Sequence, residues 1–302
     1  MTASFVPPSI PLHLAVIGVG QIGSALAFNL THHGGHTVTV VARPGSLRLD
    51  QLRRDGAIVS AAGERAPVRV LDALDEQTPY DLVIVTLLAH QVDTVLPALR
   101  RSAAGCVQFM FNTFEPERLA QAIGPERCGL GMPFIRARLD RDGRLDAHVG
   151  GAGQKTMRDR RRWVDLFDAA GLPSVLELDM PSWLRSHAPL CVAFESVSVA
   201  GMRRGGAASW GEARVLAQGV KGGFALIESL GGTVYPQSKR RMRRWPTSTL
   251  AALLWGMSRV RAFRELLATG GPEAQALVDR MVEAASVRPD LVPTLAAMKP
   301  AL

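Results

Sequence analysis

Apolar positions in the first half of the chain fall in short, nearly unbroken runs separated by turn residues. These runs alternate with stretches of helical spacing. Residues 12–17 form the first run. Ile22, Ala25, Leu26 and Leu30 then recur at helical spacing until His32-His33-Gly34-Gly35 ends the pattern. Residues 37–41 predict a second strand, and 47–55 a short helix closing at Gly56. Small strands are expected at 57–60 and 67–70, and a stronger one at 82–86 after Pro79-Tyr80-Asp81. Residues 92–101 read as helix and 107–111 as a buried strand. Such alternation predicts an α/β fold: an N-terminal Rossmann-type, doubly wound parallel sheet.

The pattern loosens in the middle. Residues 130–138 and 145–149 read as paired strands around Arg141-Asp142-Gly143. Thr156 is expected to cap a helix reaching 170, and 175–178 to form a last strand. From Pro181 the strand signal ends, and helical patterns cover 183–202, 210–230, 247–267 and 272–285. The expected organisation is therefore a dinucleotide-binding domain over 1–180 and an all-helical domain over 181–302. The second would carry the substrate and any homodimer contact.

Composition narrows the class. An apolar fraction of 47% with 21% charged residues is that of an ordinary globular protein. No run of 18 apolar residues predicts a membrane span. The N-terminus reads as a short tail rather than a secretion signal. Cys106, Cys128 and Cys191 have neither metal-ligand spacing nor a disulfide frame. A reducing cytoplasm and no metal are the expectations.

The net charge of +8 rests almost wholly on arginine, which supplies 31 of 35 cations. Its planar fork suits phosphates and carboxylates, so an anionic cofactor or substrate fits, beside the plainer readings of coding bias and solvated surface. The basic clusters 158–162 and 239–244 lack the interleaved aromatics of a stacking platform, and nucleic acid is not an expected partner.

The chemistry-bearing motif is Gly18-Val-Gly20-Gln21-Ile22-Gly23, placed directly after the first strand and opening the first helix. That context is what a dinucleotide pyrophosphate requires: Gly18 for the tight turn, Gly20 for close backbone approach, Gly23 for packing of helix on strand. The helix N-terminus adds free N–H groups and partial positive charge. A carboxylate at the end of the second strand would select NAD. Here no acid occupies 40–45, and Arg43 stands where it can meet the extra phosphate of NADPH.

With these residues the chain resembles the ketopantoate reductase family. The likeness is sharpest in Ile17-Gly-Val-Gly-Gln-Ile-Gly23, Val40-Val-Ala-Arg43, Leu52-Arg-Arg-Asp-Gly56, Val85-Thr-Leu-Leu-Ala-His-Gln91 and Phe111-Asn112. The resemblance implies that Gly18, Gly20, Gln21, Ile22, Gly23, Arg43, Gln91 and Asn112 contact NADPH. It implies that Ser248, in Pro246-Thr-Ser248-Thr-Leu250, contacts substrate. The chain departs from the family in several places: Leu88 replaces a lysine after the fourth strand, Arg185 the catalytic lysine and Pro189 an asparagine, and the aspartate that accompanies the serine segment and the glutamate beyond it are absent. The family's substrate site is not intact, so ketopantoate is not the expected substrate.

Reduction of a carbonyl leaves an alkoxide that needs a proton or a strong hydrogen bond. His187 is the expected donor, because histidine titrates near neutrality. Arg185, two positions away, is the expected anion clamp, with Asn112 at the same site. His90 and Lys221 are weaker candidates. The leading reading is an NADPH-dependent reductase of a small carbonyl compound such as a 2-oxo acid. An imine reductase and a catalytically inactive NADP-binding sensor or partner protein stand as alternatives.

Overall fold

The computed structural model describes residues 10–150 and 153–301. The tail expected at residues 1–8 lies outside them. The chain divides into two compact units. Unit 1 is 1–111 with 117–180, and unit 2 is 112–116 with 181–302.

Unit 1 begins with β1 (His13–Ile17), α1 (Gln21–His32), β2 (Thr37–Val41), α2 (Leu47–Asp55), β3 (Ala57–Val59), β4 (Arg65–Pro67), β5 (Arg69–Leu71) and β6 (Leu82–Val85). It continues with α3 (Leu96–Arg101), β7 (Val107–Met110), α4 (Pro116–Ile123, whose first residue belongs to unit 2), β8 (Cys128–Met132), β9 (Ile135–Leu139), β10 (Leu145–Val149), β11 (Thr156–Arg158), α5 (Arg161–Ala169) and β12 (Ser174–Leu176). One sheet runs β12-β11-β8-β7-β6-β1-β2-β5. The six strands from β5 to β8 are parallel throughout, in the Rossmann order that reverses direction between β1 and β6. The central strands β1 and β6 are buried and apolar at successive positions from Leu14 and Leu82 on, as strands covered on both faces are, which is why they read as near-continuous runs rather than alternations.

Every residue of α1 from Gly23 to Leu30 is buried. Besides the sheet, α1 meets the hairpins β3–β4 and β9–β10, whose Ile58, Ala66, Ile135 and Leu145 join its core. The short apolar side chains Ala25 and Ala27 let these layers close around a helix with no solvent face.

Tertiary pairing corrects several sequence expectations in unit 1. The strand expected at 130–138 is two strands: Pro133, which has no N–H to give, follows β8, and the chain re-pairs as β9 with β10. Thr156 does not cap a helix. It lies in β11, bonded through its N–H to Pro173 O at 2.8 Å, and the helix starts only at Arg161. The strand at 67–70 divides between β4, which pairs β3, and β5, which pairs β2. The helix at 92–101 divides into a 3-10 turn (Ala89–Thr94) and α3, with Pro97 in the first turn of the latter.

Unit 2 contains α6 (Met180–Arg203, whose first residue belongs to unit 1), α7 (Trp210–Ser229), α8 (Gln237–Arg243), α9 (Thr247–Met257), α10 (Arg261–Leu267), α11 (Gly271–Ala284) and α12 (Val292–Ala296). Its core is drawn from α6, α7, α9, α11 and α12, with Phe114 from the inserted segment. Pro189 is accommodated inside α6 because Gly223 of α7 faces it. A Cβ on Gly223 would stand 2.6 Å from the proline ring. The helix expected at 247–267 breaks at Ser258, whose buried hydroxyl bonds Ala208 N at 3.2 Å and Trp255 O at 2.8 Å. The helix α8 has only Lys239 buried, so no apolar stripe announces it. Among the described residues no helix is long and apolar enough to cross a membrane.

Candidate functional site

In unit 1 the candidate site is the turn at the carboxyl ends of β1 and β6, where the order of strands reverses and open α/β sheets bind ligands. Gly18 adopts φ +91°, a conformation glycine takes without strain. A Cβ there would also meet Leu87 at 2.8 Å. At Gly23 a Cβ would lie 2.3 Å from Gly18 O and 2.6 Å from Thr86 Oγ1, so α1 approaches the strand as closely as it does only because the side chain is missing. Gly20 differs: it is exposed, and a Cβ on it meets nothing within 4 Å. Its place is at the mouth of α1, whose first turn has no acid and whose cap glycine offers no side chain to the N–H groups. Such an end takes an anion, and the open side at Gly20 is where a phosphate would approach the backbone. The residues therefore fit a dinucleotide pyrophosphate. Gln21 is exposed and Ile22 half-buried in the same turn.

Two residues not singled out from the sequence hold this turn. Thr86, after β6, donates Oγ1–H to Gly18 O at 2.7 Å, and its N–H bonds Ile17 O at 2.9 Å. Arg48 of α2 donates to Val19 O at 3.1 Å, to Ser24 Oγ at 3.0 Å and to Gly143 O at 3.0 Å. Burial lowers its pKa to about 10, partly offset by the nearby Asp55, and it stays cationic at neutral pH. Thr86 stands within the family-like segment Val85–Gln91, where no role was read for it, and Arg48 has no sequence signature, because the carbonyls of Val19 and Gly143 that it meets are brought near only by folding.

Arg43 follows β2, exposed. Its carbonyl accepts from the Ser46 hydroxyl at 2.7 Å, while Ser46 caps α2 through Leu49 N at 3.2 Å. The loop is thus fixed, and the guanidinium has no ion pair among the described residues. Gln91 is exposed in the 3-10 turn, its carbonyl oxygen accepting from Leu88 N at 3.3 Å. His90 beside it is exposed as well.

The remaining sequence candidates lie in unit 2. Asn112, the first residue of the inserted segment, is buried and donates Nδ2–H to Glu273 Oε1 of α11 at 3.0 Å. Arg185 of α6 donates Nε–H to Phe114 O at 3.2 Å, which makes it a support for that segment whatever else its guanidinium meets. His187 stacks on Trp183 with ring centroids 4.5 Å apart. Burial, then the charge of Lys239, lowers its pKa to about 3. Near neutrality it is a neutral imidazole, so the imidazolium expected from the sequence is not at hand. Lys239 itself donates to Trp183 O at 3.1 Å and lies over the Trp183 ring. Lys221 bonds Trp245 O at 2.9 Å, and Ser248 is exposed in the first turn of α9.

The His187 shift has a stability consequence. A folded pKa below the unfolded value of about 6.5 means the unfolded chain takes up the proton first on acidification. The contribution of this group is therefore full above about pH 6.5 and is lost as pH falls toward 3. His187→Phe, which keeps the ring stack, should flatten the pH dependence of urea stability across that window. An unchanged slope would show that His187 is charged in the native state.

Sequence reasoning missed two acids of unit 2. Glu195 of α6 is 5% exposed, and its Oε1 accepts from Cys191 Sγ at 3.3 Å. Burial, then the neighbouring Glu273, pushes its pKa up to about 9. Burial likewise raises Glu273, against the hydrogen bonds from Asn112. The available signal was one acid in the apolar stretch Leu190-Cys-Val-Ala-Phe-Glu195, where a solvated surface would not place it.

Residues 14–159 match the family model described as ketopantoate reductase PanE/ApbA. No functionally curated protein matches the chain. Among solved structures, a PanE/ApbA family ketopantoate reductase from Ralstonia eutropha JMP134 is similar with a TM-score of 0.73 at 17% identity, over 95% of this chain and 96% of that one. A 2-dehydropantoate 2-reductase from Methylococcus capsulatus gives 0.63 at 18% identity, over 95% and 94%. The ternary structure of a D-mandelate dehydrogenase with NADH and anilino(oxo)acetate gives 0.66 at 13% identity, over 95% and 98%. At these identities the likeness is one of fold.

Proposed function

Because residues 14–159 form a ketopantoate reductase PanE/ApbA family domain, we propose that the protein is an NADPH-dependent oxidoreductase that reduces a small carbonyl compound of the 2-oxo acid class. The glycine turn carries the reading. Gly18, Gly20 and Gly23 meet three different geometric demands, and Gly20 alone keeps its Cβ position open to a ligand. In this reading Gly18, Gly20, Gln21, Ile22 and Gly23 present backbone N–H groups to the pyrophosphate, and Arg43 pairs with the 2′-phosphate. The bound dinucleotide supplies the hydride. Gln91 and Asn112 are further cofactor contacts, and Ser248 and Arg185 belong to the substrate side. Ketopantoate is not the proposed substrate, since Arg185 and Pro189 replace the residues the family uses. The free, buried thiols Cys106, Cys128 and Cys191 suit a reducing cytoplasm. A homodimer through the helical unit completes the proposal.

Calorimetric titration with NADPH and NADH tests it. NADPH should bind at least tenfold more tightly. Arg43→Ala should remove most of that preference while leaving NADH binding within about twofold, since it deletes one charge-assisted contact to a phosphate only NADPH has. Equal affinities in the wild type would overturn the Arg43 assignment, and no binding of either would overturn the reductase reading.

A further inference from the structure

We propose, resting on the reductase reading above, that Arg48 is the positioning residue of the pyrophosphate site, turning Gly20 N–H toward the ligand and backing the turn with positive charge.

The whole arrangement lies in unit 1. Two donors hold the Val19 carbonyl from the protein side, Arg48 Nε–H at 3.1 Å and the Ser24 hydroxyl at 3.1 Å. Ser24 is fully buried, so this carbonyl points inward. A trans peptide is planar, with its C=O and N–H pointing in opposite directions. Fixing Val19 O inward therefore fixes Gly20 N–H outward. That is the side where Gly20 is exposed and a Cβ would meet nothing within 4 Å. Among the described residues this N–H has no acceptor. It adds one donor to the free N–H groups of the first turn of α1, where an anion is favoured. A Val19–Gly20 peptide turned the other way would present its carbonyl to the phosphate and repel it.

The guanidinium is locked at all three nitrogens. Besides Nε, Nη2–H donates to Ser24 Oγ at 3.0 Å, and Nη1–H donates to Gly143 O at 3.0 Å and Gln51 Oε1 at 3.4 Å. Gly143 lies in the tip of the β9–β10 hairpin. Two further bonds moor that tip on α2: Gln51 Nε2–H to Arg141 O at 2.9 Å, and Arg54 Nη2–H to Asp142 O at 3.1 Å. Gly143 adopts φ +81°, and a Cβ on it would stand 2.6 Å from Arg48 Nη1. The hairpin thus sets the direction of the arginine, and the arginine sets the direction of the turn. A lysine ammonium, a point charge on a flexible stem, cannot span these acceptors.

The charge of Arg48 is left over for a ligand. Every acceptor it meets is neutral, and it has no ion pair among the described residues. The carboxylate whose charge reaches it is Asp55, two turns on in α2. Both oxygens of Asp55 already accept from Arg54, at 2.9 Å each. Arg48 is half-buried, so solvent ions screen its field less than that of a surface cation. A pyrophosphate at the turn is the anion placed to meet it.

The test uses the full chain with Arg48→Met, Arg48→Lys and Gly143→Ala, titrated with NADPH by calorimetry. Arg48→Met should weaken binding about 30-fold, and Arg48→Lys should recover part of the loss, because the charge returns without the fork. Gly143→Ala keeps the arginine but displaces it, and should weaken binding about fivefold. Nitrogen-15 spectra of the free proteins supply a readout that a loss of stability alone would not move. The Gly20 amide signal should be displaced in Arg48→Met and in Gly143→Ala, while that of Gly105, at the amino end of β7, stays in place. Arg48→Met with NADPH affinity within about twofold of the wild type, or with an unmoved Gly20 signal, overturns this assignment alone. Should Arg48→Met not fold, an unmoved Gly20 signal or wild-type affinity in Gly143→Ala overturns it equally. A wild type that binds no dinucleotide overturns the parent reading and this one with it.

Discussion

Gly23→Ala should weaken NADPH binding at least 100-fold and lower stability by about 1 to 3 kcal/mol, the usual range for forcing a methyl into a filled site. The new Cβ would lie 2.3 Å from Gly18 O and 2.6 Å from Thr86 Oγ1. Neither neighbour can yield cheaply. Gly18 N–H is bonded to Val41 O at 3.2 Å, and the Gly18 carbonyl receives the Thr86 hydroxyl at 2.7 Å. Relief must come from α1 moving off the sheet, which carries its N-terminal N–H groups away from where a pyrophosphate would sit. Gly20→Ala separates the two effects. Its Cβ meets no protein atom, so the melting temperature should stay within about 2 °C while NADPH binding falls. Fluorescence titration and thermal melts of both variants suffice. A Gly23→Ala protein that binds NADPH as the wild type does would falsify the role given to the turn.

Replacing Glu195 by Gln should flatten the fall of stability with rising pH. The folded pKa of about 9 lies far above the ordinary glutamate value of about 4.3. Between these values the unfolded chain releases a proton that the native state keeps, so stability decreases as pH rises. This group's stabilising contribution is full below about pH 4.3 and lost as pH climbs through the folded value. The slope for one full proton is about 1.4 kcal/mol per pH unit, so this single side chain weighs heavily on the pH dependence near neutrality. Urea denaturation of wild type and Glu195→Gln at pH 5, 7 and 8.5 should show the curves diverging, with the variant gaining relative to wild type as pH increases. Parallel curves would mean that Glu195 ionises normally in the folded protein.

Much of unit 1 was legible because its signals are local. Strand β6 is an unbroken apolar run, β1 is one from Leu14 on, β2 and β7 are buried strands interrupted only by Thr39 and Gln108, and α2 closes at Gly56 in the left-handed conformation that the glycine suggested. The three glycines of the turn were legible for the same reason: each answers a demand set by its own strand and helix. What failed to read did so where pairing partners lie far apart in sequence. Thr156 looked like a helix cap but pairs into the sheet between β8 and β12, whose partners lie some 20 residues either side. Helix α8 escaped because its basic residues have no apolar stripe.

Residue order alone was enough for the strand–turn–helix that can cradle a pyrophosphate and for the absence of an acid beside Arg43. Such features need only backbone geometry and the residues within one turn of it. How the titratable groups of unit 2 behave was settled by packing in three dimensions. His187 and Glu195 have ordinary side chains, and it is burial among α6, α8 and α11 that strips the proton from one and holds it on the other. Desolvation depends on what surrounds a charge in space, and no neighbour in sequence reveals it.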